Sequence, residues 1–255
     1  MMEAFDEHLL KERTADDLVS KDEMSQTINE LRANGHNLEA GFYRFLYFTG
    51  MRFNEGLGVS FADLFPGEVE HGLFSNLLKK NNIKSYGFIV LESQPAAENR
   101  SARDRETGKV PRKPLKGRKK ICEKNSRIIP ITDQEVWNNL VYRCKDQFQG
   151  WRAGIYGPDQ KDYLLFDGLN KATGMTRLKQ AQERAHQRHK TWHCLRHTRA
   201  TTLFGETGDR ELAKMWLGHV SDKVFNKYSH CYQEAIRKAR KPVVKVAHDF
   251  EQWLC

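Results

Sequence analysis

Residues 191–230 read TWHCLRHTRATTLFGETGDRELAKMWLGHVSDKVFNKYSH. The apolar positions recur at helical spacing and predict one helix near residues 195–204 and a second near 209–217. His193 and His197 stand four apart, a spacing that suits two metal ligands, but no third ligand follows at a matching distance and a zinc site is not supported. Singly, the other polar residues have ordinary explanations: Arg196 pairs with an acid, His219 sits in a core, Tyr228 is one of eight tyrosines. Their combination is more informative. His193 and Arg196 are followed by Leu217-Gly218-His219, with His219 23 residues after Arg196 and Tyr228 nine residues further on.

The rest of the chain is organised around this segment. Residues 175–189 are charged and helical in pattern, and residues 150–174 are loop-rich with a short apolar run at 163–166. Thr132-Asp133-Gln134-Glu135 reads as a capping box, opening a helix whose face is Val136, Leu140, Val141, Cys144 and Phe148. RIIPI at 127–131 and YGFIVLES at 86–93 are strand candidates. Pro111 and Pro114 between them suit an edge strand, so residues 86–131 predict a small antiparallel sheet. Ser20-Lys21-Asp22-Glu23 is another capping box, followed by Met24, Ile28 and Leu31 at helical spacing and closed by Asn34-Gly35. Residues 38–49, LEAGFYRFLYFT, are the most aromatic stretch and predict a buried helix. The organisation expected is a flexible arm or linker remnant at 1–19, one mainly helical α+β domain with a small antiparallel sheet at 20–232, and a tail at 233–255.

Composition narrows the function classes. The 255 residues carry 42 Lys plus Arg against 33 Asp plus Glu, a formal net charge of +9, with 39% hydrophobic and 11% aromatic residues. That is enough apolar material for a core. No apolar run reaches the ~18 residues of a spanning helix. The start, with Glu3, Asp6 and Glu7, has no signal-peptide pattern, so a soluble cytoplasmic protein is expected. Five cysteines without a CxxC support neither a disulfide framework nor a zinc knuckle. The positive charge is concentrated: residues 109–127 hold nine basic residues and one acid, Glu123. Such a block releases condensed counterions from a polyanion, which predicts a nucleic-acid partner, with a basic linker as the competing reading.

Taken together, the His-x-x-Arg-His-Thr, Leu-Gly-His and Tyr motifs resemble the C-terminal signature of the tyrosine recombinases, the phage-integrase family. About 140 residues upstream, Thr49-Gly50-Met51-Arg52-Phe53-Asn54-Glu55, followed by Asp63, is similar to that family's first arginine box. The resemblance runs from about residue 20 to residue 230. It implies a tyrosine-recombinase catalytic domain that breaks and rejoins double-stranded DNA through a 3′-phosphotyrosyl intermediate, with Tyr228 as nucleophile. A covalent intermediate conserves the bond energy, so no ATP is required. Arg52 and Arg196 would hold the non-bridging oxygens, where a planar guanidinium offers a fork that lysine lacks. His193 would accept the tyrosyl proton or orient the phosphate, His219 would donate to a non-bridging oxygen, and Glu55 would brace Arg52 or its helix. Two permanent cations make a divalent metal unnecessary, and no cofactor is expected.

Two departures from the family pattern bear on this expectation. The family's general acid is a Lys on a β-hairpin loop, a few residues before an Arg and a strand ending in Pro. Here Lys116-Gly117-Arg118-Lys119-Lys120 and then Lys124 precede Arg127 and Pro130. Lys116 is the first choice, at the cost of an insertion, with Lys124 and Lys120 behind it. Family members also carry an N-terminal core-binding domain, and only 19 residues precede Ser20; an excised catalytic fragment is the favoured reading over a minimal member. Val243, Val244, Val246, Phe250, Trp253 and Leu254 give the tail a reason to dock, either on its own domain or on the next protomer of a tetramer. A type IB topoisomerase uses the same Tyr, Arg and Lys chemistry, and a DNA-binding module that kept the fold without the activity is the reading from another class. Leu-Gly-His with Tyr at nine residues favours the recombinase over the first. The presence of both Arg, both His and the Tyr favours it over the second.

Overall fold

Ser20 starts the first helix as its local chemistry dictates: its hydroxyl accepts the Glu23 amide at 3.1 Å, and the Glu23 carboxylate accepts the Ser20 amide at 2.7 Å. The computed structural model describes residues 17–69, 72–96, 107, 109–121, 126–155 and 157–218. Within them run α1 (Lys21–Ala33), α2 (Asn37–Thr49), α3 (Phe53–Leu57), β1 (Leu64–Pro66), α4 (Gly72–Lys80), β2 (Gly87–Leu91), β3 (Ser93–Pro95), β4 (Arg112–Pro114), β5 (Arg127–Ile131), α5 (Gln134–Arg152), α6 (Lys171–Arg184), α7 (Trp192–Thr207) and α8 (Arg210–Leu217).

The aromatic helix α2 is the hub of the core. Phe42, Tyr43, Phe45 and Leu46 are all fully buried. Phe42 meets Phe166 edge-on with ring centroids 4.9 Å apart, Phe53 at 5.2 Å and Trp192 at 5.7 Å, a geometry that places ring edges against ring faces. These contacts pull α3, the 163–166 run and α7 onto α2. A second apolar group joins Phe74 and Leu78 of α4 to Leu203, Leu212, Trp216 and Leu217 of α7 and α8. The Trp216 indole donates to the Thr49 carbonyl at 3.1 Å, tying the end of α8 to the end of α2.

The antiparallel strands form two sheets. One has the order β1-β2-β5 and the other pairs β3 with β4. The expectation of one sheet within residues 86–131 is corrected on both counts. β1 lies upstream of that range, and the chain leaves the first sheet after Leu91 to start a separate hairpin. Both Pro114 and Pro130 occupy edge strands, where no inward amide is required. The capping box expected at Thr132 shifts by one residue. Asp133 is the cap, accepting the Val136 amide at 2.9 Å, and the same carboxylate takes a two-pronged contact from Arg44. Phe148, expected on the buried face of that helix, is 40% exposed and packs on Phe61 and Trp151 at the rim. The charged helix begins and ends earlier than residues 175–189 suggest: Asn170 caps its start, accepting the Ala172 amide at 2.8 Å, and it stops at Arg184. Among the described residues, no helix is long and apolar enough to cross a membrane, no group of three or more His, Cys, Asp or Glu could hold a metal, and Cys144 and Cys194 carry free thiols.

Candidate active site

The arginine box sits where α2 ends. Gly50 caps α2 in the left-handed conformation, φ +64°, and a Cβ there would stand 2.6 Å from a Leu217 methyl. Glycine is therefore required twice, for the turn and for the close approach of α8. Arg52 follows in extended conformation as the cap of α3, with its side chain 24% exposed. Three residues on, Glu55 accepts the Arg52 amide at 3.0 Å with Oε2 and the Arg52 Nη1 at 2.7 Å with Oε1. Glu55 thus braces both Arg52 and the start of its helix.

Arg196 reaches this point from α7. Its Nη1 donates to the Gly50 carbonyl at 2.7 Å and its Nη2 to the Leu217 carbonyl. It is 1% exposed. The two arginine motifs, distant in sequence, therefore meet through backbone: the turn that precedes Arg52 and the C-terminus of α8 both accept from Arg196. Helix C-termini leave carbonyls without intrahelical partners, and a guanidinium suits them.

A third arginine completes the cluster. Arg127, at the start of β5, is buried; its Nη2 donates to Glu55 Oε2 at 2.8 Å and its Nη1 to the Leu217 carbonyl at 2.9 Å. By charge alone Arg127 belongs to the basic block of residues 109–127. A signal was present, since the period of two in a strand puts Arg127 on the same face as Ile129 and Ile131, both buried, and a buried cation needs an acid.

Glu55 is fully buried, which alone would raise its pKa. Arg127, Arg52 and Arg196, with the Arg52 amide, outweigh that and hold it at about 2. Because the folded value lies below the ordinary 4.5, this carboxylate stabilises the fold fully above that pH, and the contribution is lost as pH falls from 4.5 toward 2. The melting-temperature gap between wild type and Glu55→Gln is expected to close over that acid range, and a gap independent of pH would contradict the assignment.

His193 lies on the first turn of α7 and is exposed; its ring meets that of His197 edge-on at a centroid distance of 4.6 Å. Lys116 is exposed at a turn just past β4, in which the Arg118 amide donates to the Leu115 carbonyl at 2.9 Å and Gly117 takes φ +86°. That hairpin is anchored to α3. Arg112 donates to the Gly58 carbonyl at 2.9 Å and to the Lys161 carbonyl, and a Cβ on Gly58 would meet Pro95 at 2.6 Å. One short helix therefore starts with Arg52 and ends against the strand pair leading to Lys116. Asp63 is a brace, accepting from the Ser60 amide and hydroxyl at 2.8 and 2.7 Å and from Lys161. Lys120 is exposed on the same loop. His219, Tyr228, Lys124 and the tail at 233–255 lie outside the described residues.

Solved structures with the same fold include XerA recombinase, at a TM-score of 0.51 and 18% identity over 89% of this chain and 65% of that one. XerH site-specific recombinase bound to its difH substrate in a pre-cleavage complex gives 0.53 and 18%, over 90% of this chain and 55% of that one. Tn1549 transposon integrase in complex with transposon right end DNA gives 0.55 and 17%, over 89% and 66%. The chain spans between about half and two-thirds of the length of these proteins. No family model and no curated protein sequence matches it. The likeness shows that the chain shares its fold with these recombinases and this integrase.

Proposed function

We propose that this chain is the catalytic domain of a site-specific DNA recombinase or integrase. The observation that carries the reading is the junction of Arg52 and Arg196: two arginines from motifs 144 positions apart share one buried network through Glu55, Arg127 and the Leu217 carbonyl. Three arginines surround the Glu55 carboxylate, which leaves net positive charge that a phosphate would neutralise.

In the proposed reaction the Tyr228 phenol oxygen attacks the scissile phosphorus as His193 takes its proton. A tyrosyl O–P bond forms and the P–O5′ bond breaks. Lys116 delivers a proton to the departing 5′ oxygen, leaving a 5′-hydroxyl, and rejoining runs the same steps backward. Arg52, Arg196 and His219 hold the charge that grows on the non-bridging oxygens. The surplus lysines near Lys116 hold the duplex without reading its sequence, and assembly as a tetramer on DNA, using the 233–255 tail, belongs to the same proposal. The chain acts on its own residues without a metal, so cleavage is expected to survive EDTA.

The test is a duplex taken from the DNA flanking the parent gene, carrying a 5′-bridging phosphorothioate that prevents rejoining. A covalent protein–DNA adduct with a 3′-phosphotyrosyl link supports the reading. Binding with no adduct leaves a DNA-binding module, and relaxation of supercoils without strand exchange a topoisomerase.

The same substrate isolates the general acid. Lys116→Ala is expected to slow cleavage of ordinary DNA by about 10²- to 10⁴-fold and to recover on the sulfur leaving group, which departs without a proton. Equal defects on both substrates would transfer the role to Lys120 or Lys124.

A further inference from the structure

Arg127 has no role in the chemistry proposed above, yet it touches what holds both phosphate-binding arginines. Its Nη2 donates to the Glu55 carboxylate, whose other oxygen holds Arg52. Its Nη1 donates to the Leu217 carbonyl, which also receives Arg196. One planar group therefore sets two acceptors, one for each arginine. β5 pairs with β2 along its whole length, with Arg127 opposite Leu91, so the backbone carrying this group is fixed. Gly218 packs against it from the other side: a Cβ there would lie 2.5 Å from Arg127 Cδ and 2.9 Å from Nη1. Leu217 and Gly218 are thus seated on Arg127.

We propose that Arg127 is a positioning residue for DNA cleavage, fixing Arg52 through Glu55 and Arg196 through the Leu217 carbonyl without itself touching the phosphate. The proposal rests on the reading of Arg52 and Arg196 as the phosphate-holding pair. An ion pair that served only to fill the core would be replaced without functional loss by an uncharged pair of similar shape. A positioning guanidinium has no such substitute, because no other side chain spans the two acceptors. Lysine keeps the charge beside Glu55 and loses the fork.

The experiment compares wild type, Arg127→Lys, Arg127→Met/Glu55→Gln, Arg52→Ala and Arg52→Ala/Arg127→Lys in three measurements: thermal melting, duplex affinity and single-turnover adduct formation on the phosphorothioate substrate. Arg127→Lys is expected to bind DNA within about twofold of wild type and to form adduct about 10²-fold more slowly, the order of effect of a small misplacement of reacting groups. In Arg52→Ala/Arg127→Lys the combined loss is expected to fall short of the product of the single losses by about fivefold or more, because both changes strike one linked unit. Strict multiplication, or a wild-type rate in Arg127→Lys, overturns the proposal. Should Arg127→Lys fail to fold, Arg127→Met/Glu55→Gln is compared with Glu55→Gln: folded and slower than Glu55→Gln supports the proposal, folded and equally fast overturns it. A wild-type rate in Arg52→Ala would instead sink the phosphate-pair reading and the proposal with it.

Discussion

Tyr228→Phe is expected to abolish the covalent protein–DNA adduct, by ~10⁴-fold or more, while duplex affinity and its salt dependence stay unchanged. The substitution removes one oxygen and keeps the ring, so packing is preserved and only the bond-forming atom is lost. Other tyrosines are poor substitutes. Tyr43, Tyr47 and Tyr163 are buried in the core, and burial holds the Tyr43 and Tyr47 phenols neutral, with the second pushed up to about 12 despite Arg199 nearby. A water nucleophile would leave cleaved DNA without an adduct and would be indifferent to Tyr228. Gly218 lies against Arg127, and Tyr228 follows ten positions later in the sequence. An adduct that persists in Tyr228→Phe would sink the assignment.

What was legible in the sequence was short-range. The box at Ser20 needs only residues three apart, and the bounds of β5 match the strand candidate RIIPI because three of its five residues are β-branched isoleucines. The box at Thr132 came out one residue early because two capping candidates adjoin, and the choice of Asp133 is made by Arg44, 89 positions away. α3 and α4 went unread. The first has five residues and is opened by Glu55 reaching back to the Arg52 amide, and the second starts on a glycine. The motifs single out Arg52 and Arg196 but not the reason they meet: Arg196 donates to Gly50 and Leu217, and nothing local in α7 announces those carbonyls. Arg127 shows the limit most plainly. A run of basic residues is read as one solvated block, yet this member of it is buried by an acid 72 positions upstream. Its neighbours Lys116, Lys119 and Lys120 are exposed, so charge density alone does not separate the buried Arg127 from those that face solvent.

The fork of Arg196 makes the second large prediction. Arg196→Lys is expected to slow adduct formation by ~10³-fold, the order of effect of removing a fixed donor from a developing oxyanion. Stability is expected to drop by about 1–3 kcal/mol as a buried acceptor goes unsatisfied. Arg196 donates through both terminal nitrogens to carbonyls from two different motifs, Gly50 after α2 and Leu217 at the end of α8. A lysine ammonium is a single point at the end of a flexible stem; it satisfies one carbonyl or the other and fixes no plane. Two readouts separate this role from charge alone. The net charge of the variant is unchanged, so its DNA affinity should decline with salt along the wild-type slope. Its cleavage rate should nonetheless stay low at every salt concentration where the duplex is saturated. If charge were all that the site required, Arg196→Lys would recover most of the wild-type rate under saturating DNA, and recovery to within about fivefold would refute a geometric role for the guanidinium. The outcome also bears on Leu217: a carbonyl shared by Arg127 and Arg196 loses one donor in Arg196→Lys and keeps the other. The remaining contact explains why the variant should fold while failing to cleave.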